Sequence, residues 1–342
     1  MIDEYKKINS QEFASYSRKH KILTVILNYN DYEKNTEKCL LSLQGQYDVD
    51  QTIMVIDNGS DSNPIDRIRQ EFPGTRYIRN GKNLGVAGGR NIGILYALKN
   101  NYDYVLIFDN DAVADRHMLS QLEKVAERDN SVGICGPKIL ERENTTRIYR
   151  AGCTHWKLTY LHCVTEIIRR LFRTAGWALP DAFDTIRGMG KEDKGQFDTA
   201  RHIDFQLGAA ALIRCQVFRK AGILDEQFNP YGSEDIDFCE RTRKAGWKIG
   251  YVPQAICWHP AEGHDPDSYD RCFQNTKNII ILARKHLSII YFWLIFIPDF
   301  SMLTIPLMLG ECLIRKWYQR KRAILDAIKW NLNDIRTRGI FL

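Results

Sequence analysis

The chain has 342 residues, of which 44% are hydrophobic and 26% charged, and these ordinary globular values exclude a disordered or fibrous protein. The net charge of +6 is uneven, because 12 basic and four acidic side chains follow residue 270 and the preceding body is slightly acidic. A nearly neutral body argues against a general nucleic-acid binder, whereas a basic, apolar tail indicates an anionic membrane surface.

The N-terminal half alternates predicted strands with predicted helices. Short apolar runs rich in β-branched residues predict strands buried on both faces, at residues 21–28, 51–56, 76–79 and 104–108. Helical spacing falls between them, at residues 31–43, 64–72 and 91–100. The alternation predicts an α/β fold with a mostly parallel sheet, whose ligands bind beyond the carboxyl ends of the strands.

The remainder of the chain is less regular. Residues 150–204 read as an insertion that shapes a substrate pocket, and residues 205–213 are apolar again. A helix is predicted at 233–244, with acids in its first turn and bases in its last, followed by a strand at 247–252. The first residues contain no apolar run of the kind that a signal peptide carries, so we expect chemistry on the cytoplasmic side.

The segment Asp109-Asn110-Asp111 follows a predicted buried strand. Two carboxylates at positions i and i+2 of an extended segment point the same way and suit a hard cation, Mg²⁺ or Mn²⁺, bound together with substrate phosphates. A solvated turn is the alternative, since Asp and Asn favour turns.

Two further polar segments are expected at the same edge of the sheet. Asp57-Asn58-Gly59-Ser60 is either a strand-ending turn or a contact to a nucleobase or ribose. The segment from Asn83 to Asn91 lacks the spacing of a dinucleotide site. Its glycines, Gly85 among them, still permit close approach of a ligand, and Arg90 can reach a phosphate; a flexible loop that starts a helix is the alternative.

An acid pair and a histidine complete the candidate residues. Glu234 and Asp235 begin the predicted helix, where the helix dipole alone favours acids, and the functional alternative is a general base. His259 follows a predicted strand, and a functional role for it is indicated only if Asp111 and Asp235 lie near it.

Taken in order, these motifs resemble family 2 of the glycosyltransferases, and most closely its rhamnosyltransferase-like branch with a GT-A fold. Besides the segments above, the resemblance rests on Gly188–Asp198, Gly208–Arg214 and Ala221–Tyr231, and it covers residues 21–260. It implies a Rossmann-like sheet and a catalytic domain at 21–270. The nucleotide-sugar half of that domain is expected at 21–130 and the acceptor half at 131–270, after a lead-in at 1–20.

The resemblance also implies roles for the site residues. Asp235 would be the catalytic base, and Glu234 would orient it or the acceptor. Asp109, Asp111 and His259 would hold Mn²⁺ or Mg²⁺. The implied donor-binding residues are Asp57, Asn58, Asn83, Gly85, Arg90, Asp109 and Asn110. Gly232 and Ser233 replace the aromatic residues often found before the acid pair, and this departure leaves the acceptor open.

These residues predict a metal-dependent inverting glycosyltransferase that builds a cell-surface glycan or glycolipid on the cytoplasmic face of the membrane. The resemblance to the rhamnosyltransferase-like branch implies dTDP-rhamnose as the donor first, and a UDP-hexose or UDP-galactofuranose second; the expected acceptor is a glycan or lipid-linked sugar. A sugar nucleotidyltransferase and a non-catalytic membrane-associated glycan-binding subunit stay open as alternatives.

The tail at 271–342 predicts helices that associate with a membrane. Residues 287–310 contain one charge, Asp299, and are long enough to cross a bilayer. Pro298 and Asp299 in the middle, with basic residues on both flanks, favour a shallow hairpin or an in-plane pair of helices. A buried helical pair and a single span are the alternatives.

Overall fold

We describe the protein from a computed structural model, which covers residues 20–154, 186–206, 208–261, 265 and 267–339. Ten strands within these residues form one sheet. They are β1 (Lys21–Asn28), β2 (Asp50–Asp57), β3 (Arg76–Arg79), β4 (Tyr104–Phe108), β5 (Val113–Ala114), β6 (Val132–Glu141), β7 (Ile148–Arg150), β8 (Arg201–Ile203), β9 (Ala210–Arg214) and β10 (Lys248–His259).

Helices cover the sheet and form a C-terminal layer. They are α1 (Glu37–Gln44), α2 (Ile65–Glu71), α3 (Gly85–Lys99), α4 (Met118–Arg128), α5 (Cys215–Ala221), α6 (Glu234–Lys244), α7 (Tyr269–His286), α8 (Ile289–Ile314) and α9 (Tyr318–Arg338). A π-helical turn, Tyr32–Thr36, precedes α1. Helix α3 begins six residues before the predicted start, so most of the glycine-rich segment is helical.

The sheet runs in the order β3-β2-β1-β4-β9-β6-β10-β5. Strands β1 to β4 pair in parallel, as their apolar runs predict, and β9 enters antiparallel between β4 and β6. Asn28 lies opposite Asp57, and Phe108 lies opposite Ala210. The ends of β1, β2 and β4 and the start of β9 therefore meet at one rim, and the predicted α/β architecture is confirmed.

Alternate side chains of the central strands fill two cores, one on each face of the sheet. Leu23 and Val25 of β1 face α3 and α6, whereas Ile22 and Ile26 face α1 and α4. Burial on both faces explains why these strands read as continuous apolar runs rather than as alternating ones.

Much of the predicted insertion lies outside the described residues, as do residues 1–19 of the predicted lead-in. The part from residue 186 onward is fixed to the sheet by Lys138, a buried residue of β6. Its Nζ donates hydrogen bonds to Asp193, at 2.8 Å, and to Asp198. Since a buried ammonium needs charged partners, these hydrogen bonds hold the segment that follows residue 186 against the sheet, close to the rim.

The predicted domain boundary at residue 270 falls inside α7, and α7 packs on the catalytic domain. Asp237 of α6, which is fully buried, accepts from Lys285 Nζ and His286 Nε2, each at 2.8 Å. Arg241, one turn along α6, pairs with the other carboxylate oxygen, also at 2.8 Å. Burial opposes ionisation of Asp237, but these partners lower its pKa to about 2. Helix α7 is therefore anchored to the predicted catalytic domain.

Replacing Asp237 by Asn is expected to lower the free energy of unfolding by about 3–5 kcal/mol, because it leaves buried cations without their counter-charge. Denaturant unfolding measures the change. The control is Asp326→Asn, which removes the charge of a partly exposed partner of Arg322, keeps an oxygen that can accept from Tyr269, and should cost less than about 1 kcal/mol. Since the pKa of Asp237 is lowered, its contribution should persist at pH 4 and fade as the pH falls toward 2. Equal losses in the two variants would contradict the prediction.

Helix α8 is continuous, so the hairpin predicted from Pro298 does not form. Two π-helical turns, Phe292–Phe296 and Asp299–Thr304, flank the proline, whose own backbone is helical (φ −60°, ψ −48°). The wider π-helical turns accommodate the proline ring and the hydrogen bond that its missing N–H cannot make, so the helix continues. Pro306 directly follows the second π-helical turn, at the start of the regular segment Ile305–Ile314. The buried-pair alternative also fails, because most of the apolar side chains of α8 are exposed.

Candidate active site

Asp57 ends β2 and is fully buried at the rim. Its Oδ1 accepts hydrogen bonds from Asn28 Nδ2, at 2.9 Å, and from Ser60 Oγ. Its Oδ2 accepts no hydrogen bond within the described residues and lies 3.5 Å from Arg79 Nε. One carboxylate oxygen is thus held by hydrogen bonds at the strand ends, and the other pairs with Arg79.

The side chains of Asn58 and Asn83 hold the loop that leads into α3. Asn58 Nδ2 donates to Asn83 Oδ1 at 2.9 Å and to the Gly85 carbonyl at 3.1 Å. Asn83 Oδ1 also accepts from the Gly85 N–H at 2.8 Å. Gly85 has φ +75°, and a Cβ there would lie 2.4 Å from the side chain of Asn229. A larger residue does not fit at Gly85, and the two asparagines act on this loop through its backbone.

Asp109, Asp111 and His259 form a cluster whose ligand atoms all lie within 4.8 Å of one another. His259 Nε2 is 3.2 Å from Asp111 Oδ1 and 3.9 Å from Asp109 Oδ2. Strand β5 produces this geometry, since Val113 pairs with Trp258 and so brings the end of β10 beside the Asp-Asn-Asp turn. Asn110 points away, and its Nδ2 donates to Asp31 at 2.9 Å.

The imidazole of His259 is oriented by its neighbours. Its Nδ1 lies 2.9 Å from the Pro260 carbonyl, which can only accept, so Nδ1 carries the proton and Nε2 faces the acids. Tyr149 stacks on the ring with centroids 4.8 Å apart. Burial opposes the charge on both partners, but pairing raises the pKa of His259 and lowers that of Asp111. This orientation leaves a nitrogen and two carboxylates converging on one point.

Arg90 joins the two halves of the site. Its guanidinium donates to Asp109 Oδ1 and, at 3.2 Å, to Glu234 Oε1. Burial disfavours its charge, but Asp109, Glu234 and Asp235 raise the pKa of Arg90 above its ordinary value. A permanently charged side chain therefore lies between the predicted metal ligands and the predicted base.

Glu234 and Asp235 begin α6, as predicted, and both line a largely apolar pocket with Ile107 and Phe238. Backbone N–H groups fix Asp235: Gly208 donates to Oδ2 at 3.1 Å and Ile236 to Oδ1 at 2.8 Å. Burial raises the pKa of both acids, and the adjacent charge of Asp235 adds to the effect at Glu234. A carboxylate with a raised pKa in a pocket is suited to accept a proton near neutral pH.

The loop before the acid pair is held from two sides. Asn278 of α7, fully buried, donates from Nδ2 to the carbonyls of Tyr231, at 3.0 Å, and Gly232, at 2.6 Å. On the other side Asn229 Nδ2 donates to the Leu84 carbonyl at 2.8 Å. The acid pair, the loop that leads into α3 and α7 are thereby linked through backbone contacts.

The structure brings all the predicted site residues to one rim, although not all of their side chains face it. Sequence reasoning missed Asn28, Tyr149 and Asn278. Asn28 could have been found, because it ends a predicted strand beside Asp57. Tyr149 and Asn278 reach the site only through tertiary packing, and no local pattern in the sequence marks them.

Similarity to known proteins agrees with this geometry. Residues 24–222, more than half of the chain, match the family described as glycosyl transferase family 2. The low-salt glycan biosynthesis hexosyltransferase Agl10 of Haloferax volcanii is 26% identical over 92% of this chain and 91% of its own. The N-acetylglucosaminyl-diphospho-decaprenol L-rhamnosyltransferase of Mycobacterium tuberculosis is 25% identical over 73% and 80%.

Two solved structures share the fold at 14% identity. The mannosyltransferase PcManGT of Pyrobaculum calidifontis, solved with GDP-Man and Mn²⁺, has a TM-score of 0.53 over 93% of this chain and 88% of that one. GalNAc-T7, solved with UDP, GalNAc and Mn²⁺, has a TM-score of 0.54 over 78% of this chain and 48% of that one. The two structures share the fold, and the match over more than half of the chain shows that this chain belongs to glycosyl transferase family 2.

Proposed function

We propose that this glycosyltransferase moves a sugar, with inversion and with help from Mn²⁺ or Mg²⁺, from a nucleotide-diphosphate donor to a lipid-linked or glycan acceptor at a cytoplasmic membrane face. The observation that carries the proposal is the pairing, through Arg90, of the Asp109–Asp111–His259 cluster with the acid pair of α6. Rhamnose and other hexoses are the sugars named for the relatives, and a lipid diphosphate carries the acceptor of one of them.

The donor set of the cluster fits a divalent cation. Two carboxylates and an oriented imidazole nitrogen are ligands that Mn²⁺ accepts, and Mg²⁺ accepts the carboxylates. Asp109, Asp111 and His259 would hold the ion, which when bound supplies positive charge against a leaving diphosphate. The position of Asp57 at the end of β2, beside Arg79, supports its predicted contact with the nucleobase or ribose of the donor.

The acceptor side relies on Asp235. Its two backbone hydrogen bonds orient the carboxylate, which takes the proton of the attacking acceptor hydroxyl. Glu234 accepts from Arg90 and from the Gly232 N–H, at 2.9 Å, and so holds the start of α6 in place. Attack from the face opposite the leaving diphosphate inverts the anomeric carbon.

A donor and acceptor screen tests the proposal. Full-length protein is incubated with Mn²⁺ or Mg²⁺, a polyprenyl-diphosphate N-acetylglucosamine acceptor, and dTDP-rhamnose, UDP-hexoses or UDP-galactofuranose in turn. We expect one donor to give a glycosylated lipid and an equal amount of nucleoside diphosphate, with an inverted anomeric centre by NMR. Retention at the anomeric centre, or turnover unaffected by a chelator, would contradict the mechanism.

A further inference from the structure

We infer that α8 lies flat in one leaflet of an anionic membrane, held parallel to the surface by its two neighbouring helices. This inference deepens the proposed function, since it rests on an acceptor that is carried by a membrane. The described residues contain one helix that is long and apolar enough to cross a bilayer, namely α8 with 26 residues. Its position relative to α7 and α9 decides between crossing and lying flat.

Helices α7 and α9 run side by side in the same direction. Contacts between them follow the same order along both helices: Tyr269 with Asp326 at 2.8 Å, Lys277 with Asn331 at 3.3 Å, and Arg284 with Asp334 at 2.7 Å. Helix α7 is in turn fixed to the catalytic domain through Asp237 and Asn278. The C-terminal half of α7 therefore anchors the pair to the body of the enzyme.

Helix α8 must run antiparallel to α7 and α9, alongside the pair. It starts directly after the C-terminal end of α7 and ends directly before the N-terminal end of α9. At that end the Arg320 N–H donates to Asp267 at 2.8 Å, which ties the start of α9 beside the start of α7. A crossing helix would place its ends on opposite sides of the bilayer, about 39 Å apart, and the α7–α9 pair would have to cross with it. The buried charges of that pair exclude such an arrangement.

One face of α8 packs on the protein and the other is exposed. Phe292, Phe296, Asp299, Thr304 and Cys312 are buried and form the inner face. Asp299 accepts from Thr304 Oγ1 at 2.9 Å, so the charge that counts against insertion faces the protein. The outer face is apolar, with Leu294 71%, Met302 73% and Ile314 85% exposed. An apolar face backed by protein is the arrangement of a helix seated in the interface.

The exposed basic residues give this surface a positive charge. Arg284 and Lys285, which precede α8, are used inside the protein, where they pair with Asp334 and Asp225. Arg315, Lys316 and Arg322 at the other end are exposed, and the pairs of Arg315 with Glu311 and of Arg322 with Asp326 are open to solvent. Basic side chains beside an exposed apolar face match a surface of anionic lipid headgroups. We name Leu294, Met302, Leu307 and Ile314 with these three bases the lipid face.

Vesicle flotation of the full-length protein tests the inference without donor or acceptor, so its outcome is independent of the proposed reaction. We expect binding to phosphatidylcholine vesicles that contain phosphatidylglycerol, and weaker binding to phosphatidylcholine alone. Leu294→Gln with Leu307→Gln should weaken binding by at least about tenfold. The control carries Leu41→Gln with Leu95→Gln, two leucines of the catalytic domain that are 58% and 52% exposed, and should bind as the wild type does. Thermal unfolding confirms that both variants fold.

Protease access decides the orientation. With tags at both termini and protein added to sealed vesicles, a flat α8 leaves both tags open to cleavage. Protection of one tag would show a crossing helix and overturn the inference. Absence of vesicle binding, with a dimer in light scattering that the Leu294/Leu307 variant abolishes, would instead make this face an interface between two copies. Truncation is a poor substitute for these variants, because it removes Asp334 and leaves Arg284 buried without its partner.

Discussion

Asp235→Asn should lower turnover by about 10²–10⁴-fold, the contribution typical of a positioned general base. The variant keeps the shape of the side chain and loses its ability to take the acceptor proton. Donor affinity should change little, because Asp235 contacts backbone N–H groups and acts in the transition state. Single-turnover rates with the lipid acceptor, together with calorimetric titration of the nucleoside diphosphate, separate the two quantities.

Asp66→Asn is the matched control, since Asp66 is an exposed acid in the first turn of α2 and tests the helix-dipole effect alone. We expect it to retain full activity. Because burial raises the pKa of Asp235, the acid limb of the wild-type pH–rate profile should lie above the ordinary value near 3.9. A fall in donor affinity as large as the fall in rate would make Asp235 a donor ligand rather than the base.

Asp111→Asn should weaken Mn²⁺ binding and lower turnover by more than about 100-fold. Mutation of a residue that hydrogen-bonds to a metal ligand typically lowers metal affinity or activity about 10–100-fold. Mutation of a ligand itself should lower them at least as much. Loss of the free-ion signal in electron paramagnetic resonance measures Mn²⁺ binding directly, without the reaction. His259→Gln should act in the same direction, because Nε2 faces Asp111 at 3.2 Å.

The matched control for the metal site is Asp115→Asn. Asp115 lies four residues along the chain, and its carboxylate accepts from the His117 N–H at 2.9 Å rather than facing the cluster. It should bind Mn²⁺ as the wild type does. Unchanged Mn²⁺ affinity in both Asp111→Asn and His259→Gln would remove the cluster as the metal site.

The rim of the sheet was predictable because its signals are local. Strands buried on both faces appear in the sequence as apolar runs. The polar residue at the end of such a run, Asp57 in β2 or Asp109 just after β4, is next to the run in the sequence and can be identified from it. Contacts to the site from residues far away in the sequence were not predictable. The contact from Asn278 to the loop before Glu234 follows from the packing of α7, and its helical sequence carries no sign of it.

The tail shows why charge patterns alone mislead. Arg284 and Lys285 resemble a basic flank in the sequence, and this apparent symmetry supported a hairpin. In the structure both side chains pair with acids that lie 50 and 60 residues away along the chain, so only one basic flank faces outward. A count of charges cannot separate a buried ion pair from a solvated one, because the partner is chosen by tertiary packing.

The position of α7 has a consequence for how such enzymes diversify. A recombination event that exchanged the C-terminal helices before Tyr269 would take Asn278 away from the loop that carries the acid pair. An exchange after α7 would leave Arg284 without Asp334. New C-terminal helices can therefore be inherited only if both contacts are preserved, so these helices and the loop that carries the acid pair are expected to evolve together.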